Sequence, residues 1–306
     1  MVQFRRLDPL ANAGPWQKHR ARPVKSFDLP ESAYARLEER RPDLIVIEGD
    51  GAVVGRPYRD TLEVHYAFGD VPAFRRSFKE LFERCAAASN KQEAPRGAVI
   101  AFRDRPNRAL AETLFWESAL EEAGQWVEMD WTAVPEQPEP ADMLDGGFQV
   151  REATDGDRDA IAGLEAEVSG MPRLSQAGIE SIYAGSRWLR LVEASSGAPA
   201  GFVSLRSEPG GWGIIEQVAL QPAVREQLRE PLLRWAVAFL RNNGGRRQRC
   251  KVYLHDAEEL AVMRKLGFTP GESGVDYTRP VGRDDVRQKV EARQAHGTLI
   301  KFGDWR

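Results

Sequence analysis

Glu216 and His255 carry side chains of types that suit proton transfer. Glu216 lies in Gly213 to Leu220, a run that alternates like a strand, and His255 follows a second such run that ends at Leu254. A carboxylate can take a proton from an amine, and an imidazole exchanges one near neutral pH. Between them stands Val218-x-Leu220-x-Pro222-x-x-Arg225, continued as Glu226-Gln227-Leu228-Arg229-Glu230-Pro231. Cations and free backbone amides at the junction of a strand and a helix suit a bound anion. Pro231 has no N–H and fits the first helical turn, so the sequence places the helix start near Glu230 and reads Ala223 to Arg229 as a loop. Plainer readings stand beside these: a solvated strand carboxylate at Glu216, and a helix-start histidine beside Asp256 at His255. His65 reads as a strand packing residue.

Other chemistry finds less support. The four histidines (His19, His65, His255, His296) are scattered, and Cys85 and Cys250 are only two thiols, read as buried small hydrophobes, so neither a metal site nor a disulfide framework is expected. Arg241, Arg246, Arg247, Arg249 and Lys251 form one dense basic run beside Gly244-Gly245, where cations suit a helix C-terminus; holding a ligand phosphate is the alternative. Trp116, Trp126, Trp131 and Trp235 fall on apolar faces and read as core. Lys and Arg number 43 against 46 Asp and Glu, a net charge of -3, which gives no global positive field for nucleic acid or an anionic membrane surface. No apolar run reaches membrane-spanning length and the N-terminus lacks a secretory pattern, so the expectation is a soluble cytoplasmic protein.

The elements that must position these groups occur twice. At 306 residues, 42% hydrophobic and 29% charged, the chain has the length of about two ordinary domains. Val134-Pro135-Glu136-Gln137-Pro138-Glu139-Pro140 is a stiff extended linker near its middle. Pro72-Ala73-Phe74-Arg75 and Pro222-Ala223-Val224-Arg225 stand 150 residues apart, each between a strand and an apolar helix. Hairpins are expected around Gly49-Asp50-Gly51 and Ser195-Ser196-Gly197, followed by strands at Thr61 to Phe68 and Gly213 to Leu220. Further strands (Gly97 to Phe102, Arg249 to Leu254), helices (Arg108 to Ala123, Glu258 to Leu266) and last strands (Trp126 to Ala133, Gly274 to Thr278) complete the order β-α-β-β-β-α-β-α-β in both halves. The division expected is a degenerate domain at 1–134, a linker at 135–147, a second domain at 148–280 and a tail of a helix and a strand at 281–306. Leu299-Ile300-Lys301-Phe302-Gly303-Asp304-Trp305 in that tail is apolar enough to dock on a neighbouring domain or on a second copy of the chain, as a homo-oligomer.

Val218-x-Leu220-x-Pro222-x-x-Arg225 before an apolar helix, with Lys265-Leu266-Gly267-Phe268 before the last strand, resembles the GCN5-related N-acetyltransferase (GNAT) superfamily. The resemblance covers Phe148 to about Pro280 directly and the first half by element order. It implies an α/β fold, two tandem acyl-CoA N-acyltransferase-like domains, each a mixed, mostly antiparallel sheet flanked by helices. It implies acetyl transfer from acetyl-CoA to the amine of a small molecule, with Val218 and Leu220 along the pantetheine arm and Arg225, Glu226, Gln227, Leu228 and Arg229 around the diphosphate. Glu216 would be the base, and His255, where two central strands diverge, an acid or base. The sequence departs from the pattern in three respects. The loop has no glycine, Met263 stands where a tyrosine would donate a proton, and Glu258 stands where the family has an asparagine three residues before the helix alanine, Ala261. In the first half Asp70 reads as an N-cap and Pro72 as a first-turn residue, so if only one half binds coenzyme the second is the one expected to do so. A tandem without chemistry, acting as a ligand- or protein-binding module, is the alternative.

Overall fold

The computed structural model describes residues 13–26, 29–89, 94, 96–103, 118–136 and 138–281. They divide into two compact units, one within residues 1–57, 61–123 and 276–306, the other within 58–60 and 124–275. The tail expected to dock and residues 108–117 of an expected helix lie outside the described residues.

In the first unit, helix α1 (Pro15–Ala21) leads to the short strand β1 (Val24–Lys25) and helix α2 (Glu31–Arg40). Strands β2 (Ile45–Glu48), β3 (Gly51–Tyr58), β4 (Thr61–Phe68) and β5 (Ala98–Arg103) neighbour one another in that order, with helix α3 (Val71–Ala88) between β4 and β5. The hairpin expected at Gly49 forms, and Gly49 has the left-handed φ of 52° that its turn requires. α3 starts where Asp70 Oδ1 accepts the Ala73 N–H at 2.6 Å, and it buries Phe74, Phe78 and Phe82 at helical spacing. Phe78 stacks between the other two, with ring centroids 4.6 and 5.6 Å apart.

In the second unit strand β6 (Glu121–Trp131) is followed by β7 (Met143–Leu144), β8 (Phe148–Glu152), helices α4 (Arg158–Ser169) and α5 (Gln176–Gly185), and strands β9 (Trp188–Ala194), β10 (Pro199–Glu208) and β11 (Trp212–Leu220). Helix α6 (Pro222–Asn242), strand β12 (Arg247–Tyr253), helix α7 (Ala257–Leu266) and strand β13 (Thr269–Arg279) complete the described chain. The neighbour order is β6-β12-β11-β10-β9-β8-β7, with β11 and β12 parallel and the other pairs of known register antiparallel. One side packs on α6 through Val203, Leu205, Ile215, Leu228 and Leu232. The other carries Phe202, Leu191 and Ala219 against α4 and α5.

Three sequence expectations change. The compact units are not the two halves: β6 ends the first half in sequence, yet it pairs antiparallel with β12 from Trp126↔Tyr253 to Trp131↔Gln248. Residues 276–279 of β13 group with the first unit, whose β5 they neighbour. The expected linker is tied into the second unit, where the Val134 N–H donates to the Arg246 carbonyl and Arg241 Nε donates to the Val134 carbonyl. Residues 121–123, expected to end a helix, begin β6 instead.

Removing a ring from the phenylalanine stack tests this packing. Phe78 has no exposed surface. Phe78→Ala should cost roughly 3 to 5 kcal/mol of unfolding free energy in a denaturant titration, and a loss under about 1 kcal/mol would mean that the ring is not in a fixed core.

Candidate functional site

Two parallel strands that separate create the opening in the second unit. β11 and β12 stay in register from Trp212↔Arg247 to Ile215↔Cys250 and then part, while β11 continues to Leu220 and β12 to Tyr253. Each strand leads into a helix, so the gap opens at the carboxyl ends of two parallel strands, below the N-termini of α6 and α7. Among the described residues no further strand pairs with the edge of β11 that the separation exposes. Backbone N–H and C=O groups along it have no strand partner among the described residues.

A bulge lies at the same point. Ser204 opposes Gln217 and Leu205 opposes Ile215, so Glu216 is the extra residue on β11. Plain alternation would put Glu216 and Val218, two residues apart, on one face; the extra residue separates them. Val218 packs against the α6 core, whereas the Glu216 carboxylate accepts from Arg206 Nε at 2.6 Å and from the Ser204 hydroxyl at 3.0 Å. Ser204 in turn meets the Ser186 hydroxyl at 2.6 Å. Each carboxylate oxygen keeps a second lone pair for a proton or a water.

The expected anion loop is a helix. α6 begins at Pro222 in its first turn and runs through Pro231, so residues 223–229 are helical. An internal proline costs roughly 3 kcal/mol, and burial of Leu228, Leu232, Leu233, Trp235 and Ala236 along the same helix offsets it. Without glycine, the segment consists of residues that favour helix. Glu226 and Gln227 are exposed, Leu228 is a core residue, and Leu220 is buried. What remains for an anion is the first turn, where no acidic residue stands and the Val224 N–H already turns back to the Gln221 carbonyl.

Arg225 and Arg229 both reach Asp256. Arg225 Nη2 pairs with Asp256 Oδ2, and Arg229 Nη1 lies 2.9 Å from Oδ1 and 3.0 Å from Glu258 Oε2. Asp256 Oδ1 also caps α7, accepting the Glu259 N–H at 3.0 Å. His255 is exposed, its ring 5.6 Å from Tyr253, and no hydrogen bond joins it to Glu216 among the described residues. Met263 is fully buried. Two of the basic run are engaged locally: Arg249 pairs with Asp130 at 2.7 Å and lies over the Trp212 ring, and Lys251 lies over Trp126. Burial pushes both thiols up, Cys85 to about 12, so neither is a thiolate at neutral pH.

The first unit meets the same separation and closes it. β4 and β5 pair in parallel from Leu62↔Ala98 to Val64↔Ile100. Tyr66, next on that edge, donates its N–H to Ser26 Oγ at 3.1 Å and accepts the Ser26 N–H at 3.0 Å, while Val24 pairs with Phe68 and Lys25 with Ala67. The side-chain space is aromatic, with Tyr66 stacked on Phe102 at 4.9 Å and Phe102 edge-on to Tyr277 at 5.6 Å. Asp70 occupies the α3 amide that an anion would need.

No protein-family model and no curated protein sequence matches the chain. Solved structures do. A GCN5-related N-acetyltransferase from Sphaerobacter thermophilus is similar at 16% identity and a TM-score of 0.51, covering 76% of this chain and 78% of that one. Another from Kribbella flavida is similar at 16% identity and a TM-score of 0.50, covering 82% and 94%. The fold is that of the GCN5-related N-acetyltransferases. On this GNAT fold the second unit has the open strand pair and the first has the filled one. Sequence reasoning missed Asp256, Glu259 and Ser26. Asp256-x-x-Glu259 is a capping pattern that could have been read; Ser26 meets its partner 40 residues away, and no local signal marks it.

Glu259 supplies a pH test of the cluster. Burial raises its carboxyl to about 7, Asp256 pushes the same way, and Arg229 and Arg225 pull back. Between the ordinary glutamate value of 4.5 and about 7 the folded chain holds a proton that the unfolded chain has lost. The associated stability is therefore complete below that window and lost as pH rises through it. Glu259→Gln should melt above the wild type at pH 8, with the gap shrinking at pH 5.5; a gap that is the same at both would place the carboxyl in ordinary solvent.

Proposed function

We propose that the protein is an N-acetyltransferase that moves an acetyl group from acetyl-CoA to the amine of a small molecule, in the cytoplasm, with the opening of the second unit holding the coenzyme. The observation that carries this reading is the contrast between the two strand separations. The edge of β11 beyond Ile215 stands open below the start of α6, while the equivalent edge of β4 is paired with Ser26. An extended amide-bearing ligand arm fits an open strand edge, as an added strand does, and a phosphate fits a helix start that carries arginine.

In this reading Glu216, directly or through water, takes the proton of the acceptor ammonium. The amine nitrogen attacks the thioester carbonyl carbon, the C–S bond breaks, the nitrogen gives up its surplus proton to solvent as the amide forms, and the departing thiolate takes a proton from His255 or from solvent. Val218 and Leu220 set the arm's strand by their backbone groups, since their side chains face the core. Of the residues expected around the diphosphate, Arg225 is the cation best placed to reach it, while Glu226, Gln227 and Leu228 contribute the helix rather than their side chains.

A second reading, a catalytically degenerate tandem that binds a ligand or protein, is favoured by Met263 and by the engagement of both arginines with Asp256. Release of free CoA thiol from acetyl-CoA in the presence of an amine library decides for the enzyme.

Calorimetric titration with acetyl-CoA should give one site per chain. Arg225→Ala should weaken binding by about fivefold, as expected for one partly exposed ion contact, and Arg75→Ala should leave it unchanged. Two sites, equal losses from both variants, or no binding at millimolar ligand would overturn the assignment.

A further inference from the structure

The ion cluster between α6 and α7 has a geometry that bears on how the opening is entered. Arg225 and Arg229 are one turn apart on the same side of α6, and both guanidiniums end on Asp256. Asp256 belongs to the other lip, in the short connection from β12 to α7. The contact therefore runs from the helix that follows β11 to the helix that follows β12, across the mouth left by their separation. A phosphate arriving at the first turn of α6 meets a cation already neutralised by a carboxylate of this chain.

The two arginines are not equivalent. The Arg229 side chain is 7% exposed, with Glu258 as a further partner, whereas that of Arg225 is 43% exposed and its partner is Asp256 Oδ2. The oxygens of Asp256 are used unequally. Oδ1 holds the α7 cap and the shorter contact from Arg229, at 2.9 Å, while Oδ2 pairs with Arg225 and lies at the longer distance of 3.5 Å from Arg229 Nη2. Arg225 can thus leave Asp256 without uncapping α7 or exposing Arg229.

We propose that Asp256 is an internal anion that latches Arg225 across the mouth of the opening, and that the coenzyme's diphosphate binds by taking Asp256's place on Arg225. This rests on the reading of that opening as a coenzyme site. The latch weakens coenzyme binding, because each binding event breaks an existing ion pair, and it removes an unpaired cation from the empty protein.

Asp256→Asn tests it, since asparagine keeps an oxygen for the α7 cap and loses the charge. Titration of the full chain with acetyl-CoA should show Asp256→Asn binding about fivefold tighter than wild type, the worth of one partly exposed ion pair. The gain should vanish when Arg225→Ala is added. Asp256→Ser, which also keeps a capping oxygen, should repeat the gain, and unchanged circular dichroism should accompany both. If wild type binds and neither substitution tightens it, the latch is wrong and the coenzyme reading stands. If no form binds at millimolar acetyl-CoA, the coenzyme reading fails and the latch fails with it.

Discussion

Two parallel strands that part leave backbone groups without a ladder partner, and buried groups of that kind must be paired. The rest of the second unit follows from this constraint at Ile215 and Cys250, the last pair in register between β11 and β12. The bulge at Glu216 begins one residue later, α6 starts at the end of the freed edge, and α7 starts at the end of the other strand. Polar groups converge there because both strands run out toward the same end. The core lies behind them, where Leu228, Leu232 and Met263 close the apolar side.

The first unit shows how else the constraint can be met. There the freed edge is paired by residues 24–26 of the same chain, with the Ser26 hydroxyl standing in for a carbonyl oxygen on the Tyr66 N–H. Tyr66, Phe102 and Phe74 then fill with rings the space that side chains would otherwise leave. A strand of only two residues is enough because the edge it covers is short. The same topological fault is thus a packed core in one unit and an opening in the other. What separates them is a segment distant in sequence, together with the residue types along β4.

Much of this was legible in the sequence. The hairpins at Gly49 and Gly197, the Asp70 cap and the strands flanking both Pro-Ala-x-Arg segments follow from turn chemistry and period, and they stand where expected. The expected loop at Ala223 to Arg229 failed because Pro231 was weighed as a local breaker, while the burial that carries α6 through it is a tertiary effect. Strict alternation would put Glu216 on the face of Val218; it has no room for an extra residue, and nothing in Ile215-Glu216-Gln217 announces a bulge. The pairing of β6 with β12 was invisible for a similar reason, since its register joins residues more than a hundred positions apart.

Backbone amide exchange with and without acetyl-CoA measures the central claim directly, because it reports on both strand edges in one sample. An open edge in the second unit and a closed one in the first predict slowed exchange at Gln217 to Leu220 and at Ala223 to Arg225, with Tyr66 to Phe68 already protected and unchanged. Slowing at Tyr66 to Phe68, or at neither segment while acetyl-CoA is bound, would contradict the account.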